Sequence, residues 1–540
     1  MLNNFRLINR IFEDRVSTKS AALSVFIVYI GSAFFGMLRN RVLAGLYGDT
    51  SELGMFYMAD KLPSLVFSIL IFSVTSAAFF PVYFDNKKVM GNKPGKFTSV
   101  ILTWSLLIYG LVFLGLFIFS QQAAALISWS SLDPEHLFLL SQLLRILLIS
   151  QFPLIVSTYF AAFLQSEERF IVPSLIPLLN NVGMIVVTIL FFDKLGIYAT
   201  AYGALAGSFL GMLLLLPFVS KLKFEYEFSL TFEPGELAKV IKLAGPRLFS
   251  VTASRVYILV INGLITYVYK SPSYVVIYEF ANQLQNYPVN AFGTAFSQVL
   301  SPNFARYLSE GKSEKLQAEL HKYLLLLTYY MLPIVILFFV LRIPLVRLLY
   351  GGDKFSWLGT NLTAYTLAFF SISMWGQAVF QLVSKVFYAH YDSKTPTFSG
   401  LISLTLSFIL SFLFSITLGF GVWGLALSFS IGTLVGTTHI YICYIKRFGH
   451  FPVYVYQEFM KILYATLICG FITYSLMKVF DRVIFDTTRT LPLLLLTFSV
   501  IFLGLVIYLL VSILLGLSQY KQFYLPAKKY LPFLFKFSKH

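Results

Sequence analysis

Cysteine is almost missing from this chain: Cys443 and Cys469 are the only two in 540 residues, and both fall inside apolar stretches. Two such thiols supply neither a disulfide framework nor a zinc-type ligand cluster, and they read as small apolar fillers. Charge is also scarce at 12% of residues, with 24 acidic against 41 basic side chains. There is no phosphate-cradling Gly loop, nucleophile elbow or Walker motif, so the sequence offers no basis for an ATP-driven pump. His321, His390 and His450 lie in or near loops without metal spacing, and His439 is a lone imidazole in an apolar run. No cofactor and no metal are expected. The polar, basic stretch before the first apolar run lacks a small-residue cleavage site, so no removable signal peptide is expected.

What the chain has in excess is hydrophobicity, 58% of residues, far more than a soluble core needs. The apolar residues come in continuous runs near the ~20 residues that carry a helix across a bilayer, which implies helices rather than a barrel. Fourteen spans are expected, at residues 21–43, 53–81, 98–119, 137–164, 171–192, 197–219, 240–269, 273–300, 316–340, 361–388, 397–418, 421–445, 458–476 and 490–515.

A formal net charge of +17 would suit nucleic acid, but the basic residues sit mostly in short loops between the runs, where they orient a protein in an anionic bilayer. They cluster before the first span (Arg6, Arg10, Arg15, Lys19), after the second (Lys87, Lys88, Lys93, Lys96) and after the sixth (Lys221, Lys223, Lys239, Lys242). The series continues after the eighth (Arg306, Lys312, Lys315, Lys322), after the twelfth (Lys446, Arg447) and in the tail. Both termini are therefore expected in the cytoplasm, with Arg342, Arg347, Lys354, Arg482 and Arg489 running against the trend.

The sequence also repeats itself. Tyr202-Gly203-Ala204-Leu205-Ala206 with Gly211 returns as Trp423-Gly424-Leu425-Ala426-Leu427 with Gly432, and Ala59-Asp60 with Pro81 returns as Ala281-Asn282 with Pro302. Phe163 and Pro173 match Phe387 and Pro396, so three separate pairs agree on an offset of about 221 to 223 residues. Six spans are repeated. An even number keeps both copies in one orientation, which implies a pseudo-two-fold axis along the membrane normal and a cavity between lobes. The expected division is an N-lobe at 1–223, a C-lobe at 224–447, two further helices at 448–517 and a basic tail at 518–540.

Charges inside spans cost at least a few kcal/mol each, so those present are candidate functional residues. Arg39, Arg145, Arg247, Arg255, Glu279 and Lys385 fall in or near the spans, and most are cations. A positively lined cavity suits an anionic cargo such as a phosphate or pyrophosphate, for which an arginine fork supplies paired donors. Plainer explanations stand beside this one. Arg39 and Arg145 are near enough to span ends to snorkel, Arg255 has Glu279 on the next helix as a candidate partner, and Arg247 beside Gly245-Pro246 suits a structural role as well as a gate. Asp60-Lys61 before Pro63 reads as a kinked, partly hydrated helix.

With the repeat and these stretches in view, the chain resembles the MurJ (MviN) family of lipid II flippases in the multidrug/oligosaccharidyl-lipid/polysaccharide exporter superfamily. The resemblance rests on Gly36-Met37-Leu38-Arg39, Ala59-Asp60-Lys61-Leu62-Pro63, Ala78-Phe79-Phe80-Pro81 and Gln142-Leu143-Leu144-Arg145-Ile146. It continues through Arg169-Phe170-Ile171-Val172-Pro173, Leu178-Leu179-Asn180, Gly245-Pro246 and Asp392-Ser393-Lys394-Thr395-Pro396.

The resemblance implies a transporter, not an enzyme, in the bacterial cytoplasmic membrane, moving an undecaprenyl-pyrophosphate-linked peptidoglycan precursor outward by alternating access. It places Arg39 among the cavity arginines that hold the pyrophosphate; Arg255 and Arg247 are expected to replace the missing cations there, with Glu279 and Gln283 beside them, and Asp60, Lys61, Pro63, Arg145 and Pro246 are expected to serve gating or structure. The chain departs from the family where Ala33, Phe67 and Gln283 stand in place of Arg, Gly54 in place of Asp and Phe72 in place of Glu. Coupling to the membrane potential or to a monovalent cation stays open, as does partnership with a cell-wall synthesis complex. The alternatives are another lipid-linked oligosaccharide or amphipathic anion as cargo, a polytopic glycosyltransferase or ligase, and a non-transporting envelope scaffold.

Overall fold

The computed structural model describes residues 18–89, 94–222, 224–233 and 235–519. Arg6, Arg10, Arg15, Lys93, Lys223 and the basic tail lie outside them. Among the described residues the secondary structure is helical throughout, apart from a single bridge between Gly352 and Phe355. A segment in hydrocarbon must satisfy every backbone N–H and C=O internally, and the α-helix does so without a partner strand.

Twelve helices among the described residues are long and apolar enough to cross a membrane. The expected first and eighth spans are helical too, as Thr18–Tyr47 and as the run that opens with Ser273–Pro288, but they are not among these twelve. In the second case the reason is composition: Glu279, Asn282, Gln283, Gln285 and Asn286 follow one another within three turns. The seventh span lies within the helix Glu236–Tyr269, whose earlier turns carry Lys239, Lys242 and Arg247.

The chain forms two compact units. One holds residues up to Val276 together with Gly352–Ser356, and the other holds Ile277–Gly351 and everything from Trp357 onward. In the first unit the helices are α1 (Thr18–Tyr47), α2 (Ser51–Lys87), α3 (Pro94–Ile118), α4 (Ser120–Ile127), α5 (Pro134–Ser166), α6 (Ile171–Leu195), α7 (Tyr198–Lys221) and α8 (Glu236–Tyr269). Helix α8 opens the second copy of the sequence repeat, yet it packs against α2 and α4 of the first copy.

Two helical seams have the same construction. Lipid tails are as apolar as leucine, so helices in a membrane associate by close fit rather than by hydrophobic exclusion. In the first unit α6 and α7 touch backbone to backbone: a Cβ on Gly207 would lie 2.7 Å from the Asn180 carbonyl oxygen, and one on Gly183 would lie 2.5 Å from the Gly207 Cα. In the second unit α9 (Lys394–Thr417) and α10 (Val422–Phe448) meet likewise, with Gly432 against Ser403 and Ser407. The repeated Gly-containing stretches are thus the seams of the two copies.

Helix α2 is not uniform. It carries π-helical turns at Ser68–Phe72 and Thr75–Phe79, downstream of the buried Pro63. Hydroxyls take up the rearranged carbonyls: Ser73 donates to the Ser68 oxygen at 3.0 Å and Thr75 to that of Ile71 at 2.9 Å. Another π turn, Val289–Thr294, follows Ser273–Pro288 in the other copy, at the position the repeat offset predicts. A π turn at the same place in both copies marks these helices as bent by construction.

Candidate functional site

The first unit encloses a cavity of about 260 Å³. Its walls come from α1 (Arg39), α2 (Asp60, Ser64, Phe67, Ser68, Phe72), α5 (Ser150, Gln151, Leu154), α6 (Asn180, Met184), α7 (Ala204, Ser208) and α8 (Arg255). Pro63 in α2 and Pro153 in α5 both lie beside this wall. Each removes a backbone N–H and opens its helix where polar side chains are needed.

Arg39 is held by amides. Its Nε and Nη2 donate to Asn40 Oδ1 at 3.2 and 3.1 Å, and its Nη1 donates to Asn181 Oδ1 at 3.1 Å. Asn181 is fixed in turn by donating to the Ser32 carbonyl at 3.3 Å. Neutral acceptors orient the guanidinium without cancelling its charge, and N–H groups remain to spare. Arg255 is exposed and has no hydrogen bond or ion pair with a protein group among the described residues, so the plainer explanation of a paired arginine does not hold.

Asp60 contributes the acidic group of the wall and accepts a bond from Ser64 Oγ at 3.4 Å. Asn180 sits on the wall with its side-chain oxygen buried and accepting nothing among the described residues. The cavity therefore offers two cations, one carboxylate, several hydroxyls and an unused amide acceptor. That donor set suits an anion carrying hydroxyl or amide groups.

The other expected site residues are placed elsewhere. Glu279 and Gln283 belong to the second unit, where Glu279 is buried and Gln283 half-buried. Pro246 and Arg247 fall within α8, but their side chains lie outside what the structure describes. Lys61 follows Asp60 and is half-buried. Arg145 donates from Nε to Ser120 Oγ at 2.8 Å and lies 5.2 Å from the centroid of the Phe117 ring, contacts that tie α5 to α3 and α4.

Sequence reasoning missed Ser150, Gln151, Asn180 and Ser208 as wall residues. Asn180 was within reach, as a polar residue closing an otherwise apolar stretch. Of the positions that depart from the family, Phe67 and Phe72 line the cavity. Gly54 has a separate explanation: a Cβ there would lie 1.9 Å from the Pro272 carbonyl oxygen, so the start of α2 has no room for a side chain.

Among the described residues no group of three or more His, Cys, Asp or Glu side chains could hold a metal ion. The family model of the lipid II flippase MurJ matches residues 43–494. The chain is 24% identical to the probable lipid II flippase MurJ of Borreliella burgdorferi over 87% of its own length and 90% of that protein's. It is 23% identical to the lipid II flippase MurJ of Burkholderia cenocepacia, covering 76% and 81% of the two chains. Among solved structures it matches a lipid II flippase MurJ in an inward closed conformation, with a TM-score of 0.77, 21% identity and coverage of 92% and 99%. An inward-facing multidrug transporter of the MATE family is more distant, with a TM-score of 0.63, 14% identity and coverage of 77% and 94%. The fold is an all-α polytopic membrane fold of about twelve spans, and the chain belongs to the MurJ family of lipid II flippases.

Proposed function

We propose that this chain moves lipid II outward across the cytoplasmic membrane and that the first unit's cavity receives the pyrophosphate. The observation carrying this reading is that Arg39 and Arg255, far apart in sequence, line one cavity and that, among the described residues, no carboxylate in direct contact neutralises either. Pyrophosphate between two guanidinium groups gains charge-assisted bonds of about 1.5–3 kcal/mol each. The Asn180 side-chain oxygen is an acceptor for a sugar hydroxyl or amide N–H of the cargo. Asp60, on the same wall, is an internal counter-charge that offsets one of the two cations and leaves the cavity net positive.

Support for alternating access comes from the repeat, whose six spans keep the two copies in one orientation. The repeat supports two six-helix lobes with two further helices, and the loop charges support cytoplasmic termini. A second reading, a different amphipathic anion as cargo, is favoured by Phe67 and Phe72 on the cavity wall where the family resemblance places charged residues. The test is depletion of the protein in cells followed by measurement of lipid II exposed on the outer face. Exposure should fall, and it should return with the wild-type chain but not with Arg255→Ala. Unchanged exposure on depletion would exclude the lipid II reading.

A further inference from the structure

Two aromatic rings stand on the wall of a hollow that is otherwise rich in polar groups. Phe67 and Phe72 line the first unit's cavity among its serines and amides. Phe67 is half-buried and packs against the apolar core of the unit, whereas Phe72 keeps 44% of its surface exposed. Neither ring meets another aromatic ring among the described residues. The π turn Ser68–Phe72 sets the arrangement, bringing two residues five apart to one wall with Ser68 between them. Helix α8, which carries Arg255, packs against this same turn. A large apolar side chain left open in a polar hollow marks a surface that a ligand covers.

The polar groups beside the rings are mostly acceptors. Ser68, Ser150 and Ser208 commit their hydroxyl hydrogens to the carbonyls of Ser64, Leu147 and Leu205 at 2.7, 2.7 and 2.8 Å, and keep only lone pairs. The Gln151 amide donates to the Leu147 carbonyl at 3.4 Å and to Ser150 Oγ at 3.3 Å, while its Oε1 accepts nothing among the described residues. The Asn180 side-chain oxygen is unfilled in the same way. The two arginines therefore supply donors, and the wall near the rings supplies acceptors and apolar faces.

A bare anion satisfies the arginines and leaves the rest of the wall unmet. An alkyl chain would cover the rings but leave the acceptors unpaired. A peptide brings a carbonyl for every N–H to a wall already made of acceptors. A pyranose answers both features: hydroxyl and acetamido hydrogens donate from its rim, and its axial C–H bonds, slightly positive, lie against the negative face of an aromatic ring. Granted the pyrophosphate site proposed above, we propose that Phe67, Phe72, Gln151 and Asn180 bind the sugar joined directly to the pyrophosphate. Phe72 stacks on the ring, and the two amide oxygens accept from its hydroxyl and acetamido groups. The cavity then selects a sugar diphosphate over a diphosphate alone, and aromatic rings at positions where the family resemblance places charge grip the headgroup by stacking.

The test uses the full-length protein in nanodiscs with two probes, undecaprenyl pyrophosphate and undecaprenyl-pyrophosphate-N-acetylglucosamine, which differ by one sugar and carry no peptide. The wild type should bind the glycosylated probe about tenfold more tightly or better. Phe72→Ala and Phe72→Leu should cut that preference to about threefold or less and leave undecaprenyl pyrophosphate binding unchanged. Phe72→Trp keeps an aromatic face and should retain the preference, and Gln151→Met, of similar volume, should weaken it. Equal affinity of the wild type for the two probes would overturn the proposal, as would a preference that survives Phe72→Ala. Loss of both probes alike in Phe72→Ala would also overturn it, because the ring would then shape the cavity instead of meeting the sugar. Failure of the pyrophosphate reading appears separately, as undecaprenyl pyrophosphate binding that is indifferent to Arg255→Ala.

Discussion

The two copies of the repeat share a helical plan and differ in charge. In the first unit the kinked α2 carries Asp60 bonded to Ser64, facing a cavity with Arg39 and Arg255. At the matching positions of the second unit stand Asn282 and Asn286, the Asn286 amide N–H donating to Asn282 Oδ1 at 3.3 Å. Beside them the buried Gln285 donates to Asn282 at 3.1 Å and accepts from Gln377 at 2.8 Å. A four-residue spacing that holds a carboxylate and a hydroxyl in one copy holds a closed network of amides in the other. Neutral amides that satisfy one another lock helices together, whereas Arg255, with no bonded partner among the described residues, is available to a ligand.

The turns that follow the fourth and tenth spans differ in a similar way. Glu167 ties back to α2, accepting from Tyr83 at 2.8 Å and Lys87 at 2.5 Å. Asp392 instead holds the end of α10 through Arg447 at 2.6 Å and caps the start of α9 through Thr395, accepting from its N–H and hydroxyl at 3.0 and 2.8 Å. The same device, an acid after a long helix, clamps different helices in the two copies.

This contrast can be broken most directly at the charges. Replacing both Arg39 and Arg255 by Ala should lower lipid II exposure about a hundredfold, two charge-assisted interactions being removed. Asn282→Ala or Gln377→Ala should leave at least half of it. Comparable losses from both pairs would erase the functional distinction between the units. Next comes the shared seam. Gly432→Val forces a side chain against Ser407 Oγ, 2.1 Å from the Cβ position, and Gly207→Val forces one against the Asn180 backbone, so each should cost about 3 kcal/mol, read as a drop in Tm in detergent.

A smaller effect concerns pH. Burial pushes the Asp392 carboxyl upward, but the Thr395 bonds and the Arg447 charge together outweigh it and hold the group below the usual 3.8. A depressed folded-state value means stability that is present above the unfolded value and lost as pH falls through the folded one. Acidification below about pH 4 should therefore destabilise the wild type, read as a drop in Tm, and Asp392→Asn should show less of that dependence. The smallest change is expected from Tyr83→Phe, which removes one bond to Glu167 but leaves Lys87 in place, at about 0.5–1 kcal/mol by thermal unfolding.

Much of this architecture was legible in the sequence. The apolar runs located most spans, and the repeated Gly stretches located the two seams, because close helix packing in a membrane needs small residues at fixed positions. Arg39, Arg255 and Asp60 were found because charge in hydrocarbon is costly enough to stand out. Phe67 and Phe72 were noticed only as departures from the family. An α-helix turns residues five apart to different faces, and the π turn between these two brings them to one wall. Gln151 and Ser208 stayed hidden for another reason. Hydroxyls and amides recur in these spans, where most of them bond the carbonyl one turn back, and nothing local separates a wall residue from the rest.

The membership of α8 in the first unit bears on how the protein is made. A ribosome that has delivered 223 residues has delivered every helix of the first repeat but not the cavity, because Arg255 and its helix are still to come. The cavity wall is complete only once α8 has ended at Tyr269. Two fragments expressed separately would then be expected to reconstitute when the break follows that residue, and to expose an unfinished helical wall to the translocation machinery when it falls at the boundary of the repeat.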